Sequence, residues 1–166
     1  ARGKATFPSY HTYNCVQDKI KQTALFDLLD LLHPRTRVFY GKRQKKSILD
    51  HFSFPFIAKI PRGSALGSGV YLIHNEMELH NYLEQMGPAY VQEYLPSDRD
   101  IRVVVIGGCI VHAYWRIAPP DEYRSNLAVG GRISLDDVPE AARNLALQVA
   151  RACSWDDVGI DICEHN

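Results

Sequence analysis

One stretch of the chain combines a lysine with a glycine-rich segment in a way that could bind phosphate. An apolar run contains Lys59, the next segment contains Gly63, Gly67 and Gly69, and a second apolar run follows. This order predicts a β-hairpin with a long tip, in which glycines let backbone N–H groups converge on an anion. The segment has neither a terminal Gly-Lys-Ser/Thr nor a following helix, so it indicates neither a P-loop nor a dinucleotide fingerprint.

Charged side chains also occur inside or beside other predicted strands, where an unpaired buried charge is costly. Because side chains alternate along a strand, Asp100 and Arg102 can share one face. Each such residue could instead lie at a sheet edge and face water, but several of them beside a glycine-rich hairpin indicate a site. The set is Lys59, Glu93, Asp100, Arg102, Arg116 and Asp161.

The elements that would position these residues follow from the hydrophobic pattern. Helices are predicted over 17–32, 44–52, 75–86 and 136–153, with Asp18 and Asn75 at helix starts. Strands are predicted over 35–40, 55–60, 71–73, 89–95, 100–106, 109–117 and 158–163. Residues 1–16 are interpreted as a linker from another domain, and residues 118–135 as a long functional loop. This order predicts two α+β lobes, 17–95 and 96–166.

The composition argues against several classes of function. With 19 basic and 19 acidic residues the formal charge is zero, so no nucleic-acid partner is predicted. The four cysteines lie far apart without a CxxC pair, which favours a reducing cytoplasm over a zinc site or a disulfide framework. The sequence shows neither a signal peptide nor an apolar run that could span a bilayer, so no membrane partner is predicted.

Six segments, in order along the chain, resemble the ATP-grasp superfamily, and within it the RimK-type branch of amino-acid ligases typified by the ribosomal-protein glutamate ligase. The most specific is Arg-Ser-Asn at 124–126, followed by Gly-Gly and preceded by an Asp-Ile-Arg strand. The resembling segments are 18–19, the Lys59 strand with its glycine loop, 91–95, 100–105, 123–127 with 130–131, and 159–162. The resemblance implies an α+β ATP-grasp fold, in which two lobes hold a nucleotide between antiparallel sheets.

The resemblance further implies that this site binds ATP with Mg²⁺, or Mn²⁺ in its place. Lys19 and Lys59 would contact phosphates, the glycine loop would cover the triphosphate, and the segment from Gln92 would hold adenine, with Asp100 on the ribose. Arg124, Asn126 and Arg102 would act where the γ-phosphate is transferred, and Asp161 would bind the metal. The remaining implied nucleotide contacts are Gly63, Ser64, Gly67, Gly69, Glu93, Tyr94 and Leu95.

The implied reaction joins a carboxylate to the amine of an amino acid or peptide through an acyl phosphate. Two features depart from the family pattern: one extra residue between Gly63 and Gly67, and Glu164-His165-Asn166, which mimics a Glu-x-Asn metal pair but directly follows Asp161. The true pair is therefore predicted to be missing, as in a fragment of a longer ligase. A nucleotide-binding module without turnover and an ATP-grasp kinase remain alternatives, and a homo-oligomer is left open.

Overall fold

The computed structural model describes residues 3–64, 69–120 and 122–164. Within these ranges the α-helices are α1 (Tyr10–Val16), α2 (Lys19–Leu28), α3 (Lys42–Lys45), α4 (Glu76–Gln85) and α5 (Glu140–Ala152). The strands are β1 (Thr36–Phe39), β2 (Phe56–Lys59), β3 (Val70–Ile73), β4 (Ala89–Glu93), β5 (Arg99–Ile106), β6 (Cys109–Ile117), β7 (Arg132–Ser134) and β8 (Asp157–Ile162). Short 3₁₀ turns occur at Ile48–Asp50 and Leu127–Val129.

The first sheet contains the predicted glycine-rich hairpin. Its strand order is β1-β4-β2-β3 and its pairs are antiparallel, with Lys59 opposite Val70 across the hairpin. Phe56 and Ala58 of β2 are buried in an apolar core beneath the sheet, where Leu79 and Tyr82 of α4 also pack. Alternation therefore leaves Lys59 on the opposite face of the sheet.

The second sheet has the strand order β7-β6-β5-β8, and its pairs are also antiparallel. Ile101, Val103 and Val105 of β5 are almost fully buried in a second core, to which α5 contributes Ala146 and Val149. The intervening residues of β5 lie on the other face of the sheet, as the alternation predicts. Asp100 and Arg102 are thereby separated from the core.

Helix α2 begins at the predicted cap but ends earlier than predicted. The Asp18 carboxylate accepts hydrogen bonds from the N–H groups of the first turn, while the helix stops at Leu28 and not at residue 32. Asp30 has a left-handed φ of 50°, and the N–H of Leu31 bonds the carbonyl of Phe26, which is a Schellman ending. This turn buries Leu31 and leaves Leu32 84% exposed, so the predicted continuation of the helix to residue 32 is wrong.

Three other segments differ from the sequence prediction. Residues 10–16 lack periodicity and are predicted to be part of a linker, but they form α1. The Ser9 side chain caps this helix, and the backbone N–H of Ser9 donates to the carboxylate of Asp156. The predicted helix over 44–52 is divided into α3 and a 3₁₀ turn, and the predicted loop over 118–135 contains β7. Side chains of α1 and α2 pack against the core of the second sheet. The division into lobes 17–95 and 96–166 stays a prediction.

Candidate active site between the two sheets

A cleft lies between the polar faces of the two sheets and collects many of the residues predicted from the sequence. Its volume is about 720 Å³, within the usual range of small-molecule and cofactor sites. The predicted site residues that line it are Lys19, Lys59, Ser64, Gln92, Arg102, Asn126 and Asp161. Residues separated by more than a hundred positions in the chain thus face one cavity.

Lys59 projects from the first sheet and is held by the neighbouring strand. Its Nζ lies 2.6 Å from Oε1 of Gln92 in β4. Burial, together with the positive charge of Lys19, lowers the pKa of Lys59 to about 8, although Asp161 and Cys163 act in the opposite direction. The charged form of a partly desolvated lysine is stabilised when an anion approaches it.

Lys19, the first residue of α2, is attached to the glycine-rich tip of the hairpin. Its backbone N–H bonds the carbonyl of Pro61, and its Nζ lies 3.0 Å from Oγ and 3.3 Å from the carbonyl oxygen of Ser64. Burial lowers the pKa of Lys19, against the raising effect of Asp18. The two lysines therefore meet at the first sheet as mutually repelling cations, an arrangement suited to a multiply charged anion.

Asp18 links the start of α2 to the same hairpin, a role that the sequence did not reveal. One oxygen of its carboxylate caps the helix, and the other accepts a hydrogen bond from Nε of Arg62 at 2.7 Å. Burial raises the pKa of Asp18, but the bonds from Arg62, Lys21 and Ile20 outweigh it, so the pKa lies below its ordinary value. The ion pair thus fixes where Lys19 enters the cleft.

The second wall of the cleft is an array of ion pairs on β5, β6 and β8. Arg116 binds both carboxylate oxygens of Asp100, at 2.8 and 2.5 Å, and its Nη2 lies 2.9 Å from Oδ1 of Asp161. Arg102 donates to the same Asp161 oxygen at 2.5 Å. The strand register places Asp100 opposite Arg116 and Arg102 opposite Asp161. Each arginine is therefore matched by a carboxylate directly across the ladder.

Arg116 is the member of this array that the residue-by-residue assignment left without a role. Its side chain is 7% exposed and lines the cleft. Burial would lower the pKa of Arg116, but the hydrogen bond with Asp100 and the charges of Asp161 and Asp100 raise it far above its ordinary value. In the sequence, the feature that indicates a role for Arg116 is its position as a cationic residue within an apolar strand, where a buried charge needs a partner. The aspartate opposite it on the preceding strand is that partner.

Gly159 of β8 lies beneath the guanidinium of Arg102. A Cβ at this position would meet Cζ and Nε of Arg102 at 2.5 Å. A glycine inside a strand commonly marks a close approach of this kind. Because Gly159 has no side chain, the guanidinium of Arg102 can pass close to the backbone of β8 and reach Asp161.

The loop between β6 and β7 connects the two walls. The Tyr123 hydroxyl donates to the carbonyl of Val70 on the edge of the first sheet at 2.8 Å. Asn126 lines the cleft, and its carbonyl accepts hydrogen bonds from Val129 and Gly131. A Cβ on Gly131 would overlap the carbonyl of Ser125, so the loop requires glycine there.

Other predicted site residues lie outside the set of described residues that line the cleft. Glu93 accepts a hydrogen bond from the backbone N–H of Arg35. Arg124 binds the carboxylate of Glu122 through Nε at 2.9 Å and Nη2 at 2.7 Å. Asp100 is joined to the cleft through Arg116. The others are Gly63, Gly69, Tyr94 and Leu95, while Gly67 falls outside the described residues; the roles assigned to all of them stay predictions.

Among the described residues, two carboxylates line this cleft, those of Asp157 and Asp161. In the described ranges, no group of three or more His, Cys, Asp or Glu side chains could hold a metal ion. Asp161 faces the cleft with 43% of its side chain exposed, and both arginines bind it.

No helix among the described residues is long and apolar enough to cross a membrane.

Comparisons with known proteins agree on one family and one fold. Residues 16–166 match the RimK-like ATP-grasp domain. The chain is 30% identical to the glutamate–LysW ligase ArgX of Sulfurisphaera tokodaii, covering 99% of this chain and 61% of that protein. It is 29% identical to the ribosomal protein bS6–L-glutamate ligase of Escherichia fergusonii, covering 88% of this chain and 51% of that protein.

Among solved structures, the chain resembles a RimK domain ATP-grasp protein from Sphaerobacter thermophilus. The TM-score is 0.72 at 17% identity, over 93% of this chain and 57% of that one. This likeness confirms the predicted α+β fold with two antiparallel sheets. The chain spans about half to three fifths of the length of these proteins.

Proposed function

Because the chain belongs to the RimK-like ATP-grasp family, we propose that the protein is an ATP-dependent ligase that joins a carboxylate to an amine. The observation that carries the proposal is the cleft in which Lys19 and Lys59 on one sheet face the arginine–aspartate array on the other. The two lysines supply cations for a triphosphate, and the volume of about 720 Å³ accommodates a nucleotide. The match over residues 16–166 confirms the predicted family, and the activity is the proposal.

The names of the relatives support an amino acid as one substrate. Two of them are glutamate ligases, one acting on LysW and one on ribosomal protein bS6. We therefore propose that an amino acid of the glutamate type is one substrate and that a peptide or protein is the other. The family uses ATP, so the free energy for forming the C–N bond comes from its γ-phosphoryl group.

In the proposed reaction, a carboxylate oxygen attacks the γ-phosphorus and the bond to the β-phosphate oxygen breaks, which gives an acyl phosphate and ADP. The amine nitrogen then attacks the acyl carbon, inorganic phosphate leaves, and the nitrogen loses a proton. Lys19 and Lys59 would bind the phosphates, and Arg102, Arg124 and Asn126 would stabilise charge on the transferred phosphoryl group. Closure of the cleft would protect the acyl phosphate from water.

ATP-grasp proteins in general also use a divalent metal ion, which we propose to be Mg²⁺, with Mn²⁺ as a substitute. The ion would neutralise charge on the phosphates. Asp161 would supply one hard oxygen ligand, while phosphate oxygens, water and groups beyond the described residues would supply the rest. Asp161 is bonded to Arg102 and Arg116, so it would share its oxygens between the arginines and the ion.

The second candidate is a module that binds nucleotide without turnover. The observation that favours it is the pairing of Asp161 with two arginines, which already bind the carboxylate that would serve the metal ion. Transfer of the phosphoryl group to a hydroxyl, as in a kinase, would use the same nucleotide contacts. The three functions differ in whether ADP forms and in which acceptor triggers its formation.

The test begins with calorimetric titration of Mg²⁺-ATP into this chain, its Lys59→Met variant and the Lys46→Met variant as a control at an exposed position. We expect binding by the native chain and the control, and weaker binding by Lys59→Met. Amino acids, with glutamate first, are then screened for ADP release by the full-length protein, and hydroxylamine is added to trap an acyl phosphate as a hydroxamate. Binding without ADP release would favour the module, and release without hydroxamate would favour the kinase. Failure of the native chain to bind ATP would overturn the proposal.

A further inference from the structure

A chain of hydrogen bonds connects Lys59 to the backbone through two uncharged side chains. Lys59 Nζ donates to Oε1 of Gln92 at 2.6 Å, and Nε2 of Gln92 donates to Oγ1 of Thr36 at 2.7 Å. The Thr36 hydroxyl donates to the carbonyl of Pro34, also at 2.7 Å. Thr36 and Gln92 are direct partners in the β1–β4 register. The chain thus runs across three adjacent strands of the first sheet.

The donors and acceptors in this chain can be arranged in one direction only. An ammonium donates and does not accept, so the carbonyl side of the Gln92 amide must face Lys59. The amide nitrogen then faces Thr36, whose hydroxyl accepts from it and passes its own hydrogen to Pro34. A rotated amide would place two donors against each other. The ammonium and the Thr36 hydroxyl, whose hydrogen is given to Pro34, therefore set the orientation of Gln92 together, and Gln92 in turn holds the ammonium in place.

We infer that Gln92, oriented by Thr36, is a positioning residue that aims the Lys59 ammonium into the cleft while leaving its charge uncompensated. The inference rests on the proposed function in that the charge is kept for the phosphates of ATP. It also gives Gln92 a role different from the adenine contact implied by the family resemblance. The other charged or ionisable groups that act on Lys59 are Lys19 of α2, Asp161 of β8 and Cys163 after it.

The Gln92 amide is uncharged, and this distinguishes it from a carboxylate as the partner of Lys59. A carboxylate at position 92 would hold the ammonium at the same place but would form an ion pair with it. An incoming phosphate would then have to displace that partner, whereas it meets no competing charge beside an amide. An amide therefore orients the lysine without reducing its attraction for an anion.

The same face of β4 also anchors the helix that carries Lys19. Tyr90, two residues before Gln92 and thus on the same face, shares a hydrogen bond of 2.7 Å with Oγ1 of Thr23 in α2. Thr23 is buried one helical turn after Lys19. One strand face consequently sets the positions of both lysines.

The experiment compares Thr36→Val with Thr36→Ser, and both with Gln92→Glu. Valine has the shape of threonine without the hydroxyl, and serine restores the hydroxyl. Two quantities are measured on the native chain and on each variant. One is the Kd for Mg²⁺-ATP by calorimetry, and the other is the rate at which acetic anhydride acetylates Lys59 with and without Mg²⁺-ATP, followed by peptide mass spectrometry. Lys46 in the same digest is the internal reference for reagent and pH, and thermal melting checks that each variant is folded.

We expect Thr36→Val to raise the Kd for ATP about tenfold, because the acceptor of the lysine is no longer fixed. Its Lys59 should be acetylated several-fold faster than in the native chain, since the charged form loses its oriented partner. Thr36→Ser should restore both quantities to within about twofold. Gln92→Glu should also raise the Kd, but should slow the acetylation of Lys59, because a carboxylate favours the unreactive ammonium.

Equal behaviour of Thr36→Val and Thr36→Ser in both measurements would overturn the inference. A Gln92→Glu variant that binds ATP as tightly as the native chain would also overturn the inference. This second result keeps the test decisive if Thr36→Val does not fold. Failure of the proposed function has a different signature. In that case ATP would not protect Lys59 of the native chain from acetylation, while the opposite effects of Thr36→Val and Gln92→Glu on the labelling rate would remain and would support the positioning role.

Discussion

Replacing Lys59 by methionine should stabilise the free protein and weaken its binding of ATP. The ammonium lies at the cleft in a partly buried position, and its surroundings lower its pKa from the ordinary 10.5 to about 8. Folding therefore disfavours the charged form of this side chain. Methionine has a similar length and no charge to desolvate, so it removes that cost while preserving most of the packing.

The magnitude follows from the difference between the two pKa values. At a pH below 8, a lowering from 10.5 to about 8 corresponds to a cost of about 3 kcal/mol. Methionine leaves Oε1 of Gln92 without the donor seen at 2.6 Å, which offsets about 1 kcal/mol of the gain. The expected increase in the free energy of unfolding is about 2 kcal/mol, or about 5 °C in Tm for a chain of this size.

The pH dependence has a definite sign. Between pH 8 and 10.5 the folded protein binds fewer protons at Lys59 than the unfolded chain does, so the stability of the native protein rises with pH there. The advantage of Lys59→Met is therefore fully present below about pH 8 and disappears as the pH approaches the ordinary lysine value of 10.5.

Urea unfolding of the native chain, Lys59→Met and Lys46→Met at pH 7 and at pH 10 measures these differences. Calorimetry at pH 7 should show that Lys59→Met binds Mg²⁺-ATP at least about tenfold more weakly, because a hydrogen bond to a charged group is lost. Lys46→Met should match the native chain in both assays. A Lys59→Met variant that is less stable than the native chain at pH 7 would refute the reasoning, since the ammonium would then contribute more through its contacts than burial costs.

Three further predictions concern glycines and the helix cap. Gly159→Ala should displace the flexible guanidinium of Arg102, which would lie 2.5 Å from the new Cβ. The free energy of unfolding should fall by under about 1 kcal/mol, while the proposed ADP release by the full-length protein should drop about tenfold or more; unchanged turnover would contradict this. Gly131→Ala places a Cβ against backbone carbonyls that cannot move aside, so urea unfolding should show a loss of about 2 kcal/mol, and a loss below about 0.5 kcal/mol would mean that the loop relaxes. Asp18→Ala should cost about 1–2 kcal/mol by removing the cap of α2, whereas Asp18→Asn keeps a capping oxygen and loses only the bond with Arg62. Because the pKa of Asp18 is lowered, the advantage of the native chain over Asp18→Ala should persist above the ordinary value of 3.8 and decline as the pH falls below it.

The sequence by itself determined the local structure and the family. The hairpin on either side of the glycine-rich segment, the hairpin of β5 and β6, and the capped starts of α2 and α4 follow from hydrophobic periodicity, turn residues and capping side chains, which act over a few neighbouring positions. Periodicity did not reveal α1, because that helix depends on a bond between Ser9 and Asp156 at the far end of the chain. The C-terminal end of α2 depends on a left-handed residue, Asp30, that no apolar spacing marks.

The tertiary structure alone decided which charges meet. The sequence offered Arg102, Arg116, Asp100 and Asp161 as separate polar residues in apolar strands, whereas the register of β5 with β6 and β8 turned them into one array. Likewise, Gln92 could be assigned to the nucleotide by resemblance, but only the pairing of β4 with β1 and β2 placed its amide between Thr36 and Lys59. Strand pairing is a long-range choice set by two buried cores, so a list of residue types cannot supply it. The pKa of Lys59 has the same origin, because burial and the charge of Lys19 exist only after the chain has folded.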